Sequence, residues 1–149
     1  MPARLTHALV ASLDWLADRI LPPDNNPARH QIGRRGEENA YFYLRKLGYV
    51  IVARNYRSHR HHGEIDLIGW DKNVLCFIEV KTRTARDMKP AEAAVNLAKQ
   101  DDLRAVAGDY LRHVDPSCQW RFDVISVYYG AKSDRDPEFE LFKNAFPLA

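Results

Sequence analysis

The fold of this chain is best predicted from two segments: Gly-Glu-Ile-Asp-Leu-Ile at positions 63–68 and Phe-Ile-Glu-Val-Lys at 77–81. Both segments alternate apolar and polar residues, which predicts two strands that each bury one face. The residues between them, Trp-Asp-Lys-Asn at 70–73, are typical of a turn. If the turn is centred between positions 72 and 73, Asp66 lies directly opposite Glu79 in an antiparallel hairpin.

Two carboxylates placed in this way repel each other. The Cβ atoms of directly opposed residues are roughly 4.5–5.5 Å apart. At that distance the repulsion is on the order of 3–4 kcal/mol for an effective dielectric of about 20. A cation bound between Asp66 and Glu79 would relieve this repulsion and form a metal site. Lys81 lies on the same sheet face as Glu79. The hairpin therefore predicts a metal-dependent phosphodiesterase centre, provided that the register is not shifted by one residue.

Helices on either side of the hairpin contribute further candidates. Glu37 lies on the apolar stripe of a helix predicted for 34–47, ended by Gly48. It either benefits from the positive end of the helix dipole or reaches the Asp66–Glu79 pair, and the second interpretation is preferred. Lys99 lies in the apolar stripe of a helix predicted for 90–112. It either extends its ammonium group into water or, with its neighbour Gln100, holds a phosphate or orients a water.

The charge distribution predicts contacts with nucleic acid. Between positions 29 and 63 there are eight Arg and Lys against two Glu, and four of the six histidines. Such a surface suits a phosphate backbone, although most charge runs are only solvated surface. The histidines at 59–62 lack a Cys or acidic partner at zinc spacing. The candidates for contact with nucleic acid are Arg34, Arg35, Arg57, His61, His62, Arg83 and Lys99.

Several functional classes are disfavoured. Cys76 and Cys118 form no ligand motif or disulfide framework, which favours a reducing cytoplasm. We expect no membrane segment, because no apolar run approaches the roughly 20 residues of a span, and no signal peptide. The chain has no phosphate-binding GxxxxGK[ST] loop. Oxygen ligands at the hairpin suit Mg²⁺ or Mn²⁺.

The order of predicted elements indicates an α/β fold. A helix precedes a three-stranded antiparallel meander, and a helical crossover then leads to a fourth strand parallel to the third. Residues 1–30 are assigned to an N-terminal helix with a Pro-rich linker, and residues 31–149 to the main domain. The N-terminal helix is predicted at 5–21, and the strands at 49–58, 64–70, 74–82 and 121–129.

These residues resemble known families. Asp66, followed after thirteen residues by Glu79-Val80-Lys81, resembles the PD-(D/E)XK nuclease superfamily. More closely, the chain resembles the YraN-like family of small proteins related to archaeal Holliday-junction resolvases, over roughly residues 31–149. The segments that carry this resemblance are Gly33-Arg34-Arg35-Gly36-Glu37, Gly63–Ile68, Phe77–Arg83, Lys99-Gln100 and Lys143-Asn144-Ala145-Phe146.

The resemblance implies a restriction-endonuclease-like αβββαβ core with a mixed sheet flanked by helices. It implies that Glu37, Asp66, Glu79 and Lys81 form a nuclease site, assisted by Gln100. The carbonyl oxygen of Val80 would be a further ligand for Mg²⁺ or Mn²⁺. A homodimer acting on DNA, branched or otherwise structured, is also implied.

Three hypotheses follow. The first is a metal-dependent endonuclease acting on DNA. The second is a nucleic-acid-binding module of the same fold without catalysis. The third is an assembly component that docks a partner through residues 5–21 and the C-terminal segment 144–146.

Overall fold

A computed structural model describes residues 27–84, 97–130 and 136–146, and these residues form a mixed α/β fold. Within those ranges there are two helices and a sheet of five strands. The helix predicted for 5–21 lies outside the described residues. The helices are α1 (Pro27–Lys46) and α2 (Leu97–Leu111), and the strands are β1 (Val50–Arg57), β2 (Glu64–Asp71), β3 (Val74–Thr84), β4 (Gln119–Tyr129) and β5 (Glu138–Phe142).

The first four strands of the sheet have the predicted topology. Its strands lie in sequence order, and every neighbouring pair is antiparallel except β3 and β4, which are parallel. The β2–β3 ladder runs from Asp71 opposite Val74 to Leu67 opposite Ile78. This register is the predicted one, because the next position along each strand is occupied by Asp66 and Glu79.

The two helices pack on opposite faces of the sheet, since side chains alternate along each strand. On one face, Ala40 and Leu44 of α1 form a core with buried side chains of the central strands. On the other face, α2 contributes Leu103, Val106 and Ala107 to a second core. The strand residues of the first core include Leu67, Cys76, Ile78, Ile125 and Val127, and those of the second include Ile68, Leu75, Phe77 and Phe122. Neither helix in the described part of the chain is long and apolar enough to cross a membrane.

Helix α1 begins at Pro27, seven residues before the predicted start at position 34. Proline is favoured in the first turn of a helix, where its missing N–H needs no acceptor. The helix ends at Lys46, and Gly48 follows with φ of 96°, as expected of a helix cap. Gly36 allows α1 to lie close to β3, because a Cβ atom there would clash with Oγ1 of Thr82.

Strand β5 and the structural role of the residues after it were not predicted from the sequence. Glu138–Phe142 pairs with β4 and forms one edge of the sheet. Beyond it, the N–H of Ala145 donates to the carbonyl of Phe122 at 2.8 Å, and the ring of Phe146 stacks on that of Phe122. Strand β4 also begins at Gln119, two residues earlier than predicted. The helix predicted for 90–112 is described from Leu97 onward, and its first part lies outside the described residues.

Candidate functional site

The predicted pair of carboxylates lies where the β2–β3 ladder ends. The last pair of the ladder at this end is Leu67 with Ile78, so Asp66 and Glu79 lie just beyond it. Instead of continuing the ladder, the N–H of Val80 donates to Asp66 Oδ2 at 2.7 Å. The N–H and C=O of one strand residue point to the same neighbouring strand, so the Val80 carbonyl is directed to the same edge.

Glu79 is buried and incompletely paired. It is 6% exposed. Its Oε1 lies 3.4 Å from Lys81 Nζ and 3.6 Å from Lys99 Nζ. Its Oε2 is buried without a hydrogen-bond partner among the described residues. One carboxylate oxygen therefore faces two cations, while the other lacks a hydrogen-bond partner among the described residues.

Burial and the charges of neighbouring carboxylates raise the pKa of two groups at this edge, Asp66 and Glu37. Burial raises the pKa of Asp66, the charge of Glu79 raises it further, and the hydrogen bond from Val80 opposes the change. Burial also raises the pKa of Glu37, to which Glu64 and Glu79 add. In the absence of a cation, the site therefore favours retaining a proton. A divalent cation placed between the carboxylates would reverse that preference.

Glu37 lies close enough to Glu64 and Glu79 to be influenced by their charges, and it does not lie at a helix N-terminus. Helix α1 begins ten residues before it, so the helix dipole does not account for this carboxylate. Asn55, which the sequence analysis did not select, connects it to β2. With its amide nitrogen facing the carboxylates, Asn55 donates to Glu37 Oε2 at 3.2 Å and to Glu64 Oε1 at 2.9 Å. The backbone of Asn55 has φ of 50°, a conformation that Asn adopts more readily than most residues. An Asn inside a predicted strand was therefore the sequence signal for this position.

The predicted metal ligands do not form a preformed cage. In the described ranges, no three side chains of His, Cys, Asp or Glu come together as a cluster that could hold an ion. Asp66 and Glu79 offer carboxylate oxygens, with the Val80 carbonyl at the same edge. Such a set is compatible with Mg²⁺, which is commonly bound by one or two carboxylates and keeps several waters or substrate phosphate oxygens.

The two candidates at the start of α2 differ in their surroundings. Lys99 contacts the site directly through Glu79. Gln100 is 8% exposed, and its Oε1 accepts a hydrogen bond from Arg104 Nη2 at 3.2 Å. This bond is one contact of the Gln100 amide, and the assisting role of Gln100 at the site stays a prediction.

The candidates for contact with nucleic acid lie in several parts of the surface. Arg34 and Arg35 are exposed on α1, and the Arg35 guanidinium lies 5.5 Å from the ring centroid of Tyr129. Arg57 pairs with Glu64 at the end of the β1–β2 hairpin. Arg83 is partly buried on β3, and its Nε has no partner among the described residues. His61 and His62 are exposed in the β1–β2 loop.

The β1–β2 loop is anchored by residues that the sequence analysis did not select. Ser58 Oγ donates to Asp109 Oδ2 of α2 at 2.7 Å. The same oxygen accepts from the N–H groups of Arg60 and His61, at 3.0 and 3.3 Å. The loop therefore presents its basic side chains from a fixed base on α2.

Comparison with known proteins identifies the family. A family model described as "Uncharacterised protein family UPF0102" matches residues 36–127, which include all the carboxylates of the site. The chain belongs to the UPF0102 family. A UPF0102 protein of Koribacter versatilis is 52% identical over 134 residues, covering 90% of this chain and 92% of its own. A UPF0102 protein of Caldicellulosiruptor saccharolyticus is 37% identical over 119 residues, covering 79% and 98%. Membership in UPF0102 agrees with the YraN-like resemblance of the sequence.

Proposed function

We propose that this protein is a metal-dependent endonuclease of the PD-(D/E)XK kind, which uses Mg²⁺ or Mn²⁺ to hydrolyse phosphodiester bonds in DNA. The observation that supports this most strongly is the side chain of Glu79. One of its oxygens faces two lysines, and the other is buried and has no hydrogen-bond partner among the described residues; the carboxylate of Asp66 lies nearby. A structural ion pair in a protein interior normally satisfies both oxygens.

The element order also supports the restriction-endonuclease-like core. From α1 to β4 the chain runs helix, three strands, helix, strand, which is the αβββαβ order that the sequence resemblance implies. Strand β5 is an addition to this core. Fold alone does not fix function, so the proposal depends on the carboxylates at the end of the hairpin.

Each residue has a defined role in this proposal. Asp66, Glu79 and the carbonyl of Val80 would hold the cation, and Glu37 would bind it through a water. When bound, Mg²⁺ or Mn²⁺ polarises the phosphoryl oxygen and lowers the pKa of a coordinated water. Lys81 would orient the attacking water and stabilise the negative charge that develops on the phosphoryl oxygens.

The reaction is a hydrolysis. The oxygen of a water forms a bond to phosphorus, and the bond from phosphorus to one ester oxygen breaks. The water loses a proton, for which Glu37 is the acceptor we assign, because burial raises its pKa and makes its carboxylate more basic. The leaving ester oxygen takes a proton from solvent.

Strand cleavage tests this function. A labelled panel of single strand, duplex, flap and four-way junction is incubated with Mg²⁺, Mn²⁺ or EDTA. We expect cation-dependent cleavage by the wild type that falls by more than about 100-fold in Glu79→Gln and Asp66→Asn, since even partners behind metal ligands contribute 10–100-fold. Glu138→Gln, an exposed change on β5, is the matched control and should cleave normally.

A nucleic-acid-binding module without catalysis is the alternative. Two observations favour it: Glu79 is paired with two lysines, and no three-ligand cluster is preformed among the described residues. Salt-sensitive binding without cleavage of any panel member, in either cation, would support the module. The homodimer implied by the resemblance belongs to both alternatives, and light scattering of the purified protein would test it.

A further inference from the structure

Three buried polar atoms among the described residues have no hydrogen-bond partner: Glu79 Oε2, Arg83 Nε and Ser126 Oγ. All three belong to the adjacent parallel strands β3 and β4. The register places Lys81 beside Ser126, and Arg83 is two residues further along β3. Because side chains alternate along a strand, these residues share the sheet face of Glu79. The unpartnered atoms therefore lie along one face, towards the carboxyl ends of the two strands.

The unpartnered groups beyond Glu79 are hydrogen-bond donors. Ser126 is 0% exposed; its hydroxyl lies near that of Tyr128 on the same strand and can donate one hydrogen bond. The Nε–H of Arg83 is a second donor and carries positive charge. Buried polar groups in proteins are nearly always paired, so a group without a partner needs an explanation. An anionic oxygen ligand would satisfy both donors together.

We propose that Ser126 and Arg83 form a subsite for a second phosphate of the nucleic acid strand, adjacent to the phosphate that reacts beside Glu79. This inference rests on the proposed function and extends it. At about 3.3 Å per residue, Ser126 lies about 7 Å along the sheet from the level of Glu79. A strand advances about 3.4 Å per nucleotide along a duplex axis. The subsite therefore lies within about two nucleotides of the reacting phosphate.

One carboxylate opposes phosphate binding at this position. Glu140 of β5 lies opposite Ser126 in the register. It accepts a hydrogen bond from the hydroxyl of Tyr128 at 3.2 Å. Its negative charge would weaken the attraction of a phosphate to Arg83. Neutralising Glu140 should therefore strengthen binding, an effect opposite in sign to the loss of Arg83.

Binding of single-stranded DNA without metal tests the subsite separately from catalysis. Fluorescence anisotropy of a labelled oligonucleotide is measured in EDTA between about 50 and 200 mM salt. We expect Arg83→Gln to weaken binding about 10-fold and to reduce the slope of log affinity against log salt by about 0.7, the value for one phosphate contact of a single strand. Ser126→Ala should weaken binding about 3–10-fold at an unchanged slope, since it removes a neutral donor.

Two further variants complete the experiment. Glu140→Gln should tighten binding. Lys72→Gln, at the opposite end of the sheet in the exposed β2–β3 turn, should bind as the wild type. An unchanged salt slope in Arg83→Gln would overturn the subsite. So would wild-type binding by Ser126→Ala, or a wild type that does not bind DNA.

The two proposals fail in distinguishable ways. If the wild type cleaves DNA and the subsite variants bind normally, the nuclease stands and the subsite is wrong. If no cleavage occurs and the variants change binding as expected, the subsite stands and catalysis is wrong. Thermal unfolding of Ser126→Ala provides the structural control. Removal of a hydroxyl that only lacks a partner would raise the melting temperature and leave DNA binding unaltered.

Discussion

The β2–β3 hairpin carries acidic residues at both ends, and the two ends differ in how their acidic residues are paired. The turn-end cluster comprises Tyr49, Asp71, Arg121, Asp123 and Lys143. The open-end cluster comprises Glu37, Asp66, Glu79, Lys81 and Lys99. Each cluster brings carboxylates and cations together on the same sheet, so the difference lies in how completely their charges and hydrogen bonds are satisfied.

At the turn end the carboxylates are well compensated. Asp71 Oδ2 accepts from Arg121 Nη2 at 2.7 Å and from Lys143 Nζ at 2.8 Å. These bonds lower the pKa of Asp71 to about 2. Asp123, fully buried, accepts from Arg121 at 2.8 and 3.1 Å and from the N–H of Asn144 at 2.9 Å. This cluster stabilises the fold.

At the open end, burial and mutual repulsion raise the pKa of Asp66, and one oxygen of Glu79 has no partner among the described residues. Such an arrangement opposes folding. Perturbed and incompletely paired groups are concentrated at functional sites, where stability is lost in favour of activity. The turn-end cluster and the open-end cluster therefore differ in how completely their carboxylates are paired with cations and hydrogen-bond donors, and not in whether carboxylates are present.

The largest expected effect is the loss of the central cation of the turn-end cluster. Arg121→Met should lower the free energy of unfolding by about 3–5 kcal/mol, because Asp123 is left buried without its charged partner. Urea denaturation measures the change. The corresponding change at the open end, Lys81→Met, should cost about 1 kcal/mol or less. Equal losses in the two variants would contradict the distinction between the clusters.

Gly36→Ala should have the next largest effect. Its Cβ would meet the side chain of Thr82, so α1 must move away from β3 and carry Glu37 with it. We expect a loss of about 1–3 kcal/mol in the free energy of unfolding. Gly33→Ala is the matched control, since no atom of the described residues lies within 4 Å of a Cβ placed there. It should stabilise the helix by up to about 1 kcal/mol. Similar losses in both variants would show that close packing at Gly36 is not the cause.

Asp71→Asn tests the turn end by pH. The pKa of Asp71 is lowered in the folded state, so its contribution is present above the unfolded value of 3.8 and is lost as the pH falls towards about 2. We expect the variant to lose about 1–2 kcal/mol at pH 7, allowing for partial exposure of the group. Denaturant titrations from pH 7 to pH 2 should show the difference from the wild type disappearing. A difference that persists at pH 2 would contradict this origin.

Asp66→Asn should have the smallest effect, and of opposite sign. Because the pKa of Asp66 is raised in the folded state, its contribution is favourable at low pH and is lost as the pH rises through the folded value. The asparagine keeps an acceptor for the Val80 N–H without the charge. In EDTA at pH 8 we expect a gain of about 1 kcal/mol, falling to zero near pH 4. Destabilisation at pH 8 would place Asp66 with the structural carboxylates.

Local sequence signals sufficed for the hairpin and its neighbours. Asp66 and Glu79 are equidistant from the turn, so one turn position fixed their register. The long crossover predicted the parallel β3–β4 pair. These features depend on spacing along the chain, which a sequence states directly.

Other features depend on contacts between distant residues. Arg121 joins Asp71 and Asp123 only because β4 returns beside β3, and β5 is ordered by pairing with β4. The start of α1 was missed because the Pro-rich segment reads as a helix breaker, although Pro27 occupies a position that helices favour. Ser126 gave a detectable signal, since it is a polar residue within the apolar stripe of a buried strand.

We expect the open end of the hairpin to hold a divalent cation and the turn end to hold none. Binding of Mn²⁺ measures this difference. Calorimetric titration of the full chain would compare the wild type with Glu79→Gln at the open end and Asp71→Asn at the turn end. We predict that the wild type and Asp71→Asn bind Mn²⁺ and that Glu79→Gln does not. Equal binding by wild type and Glu79→Gln, or no binding by the wild type, would contradict the account.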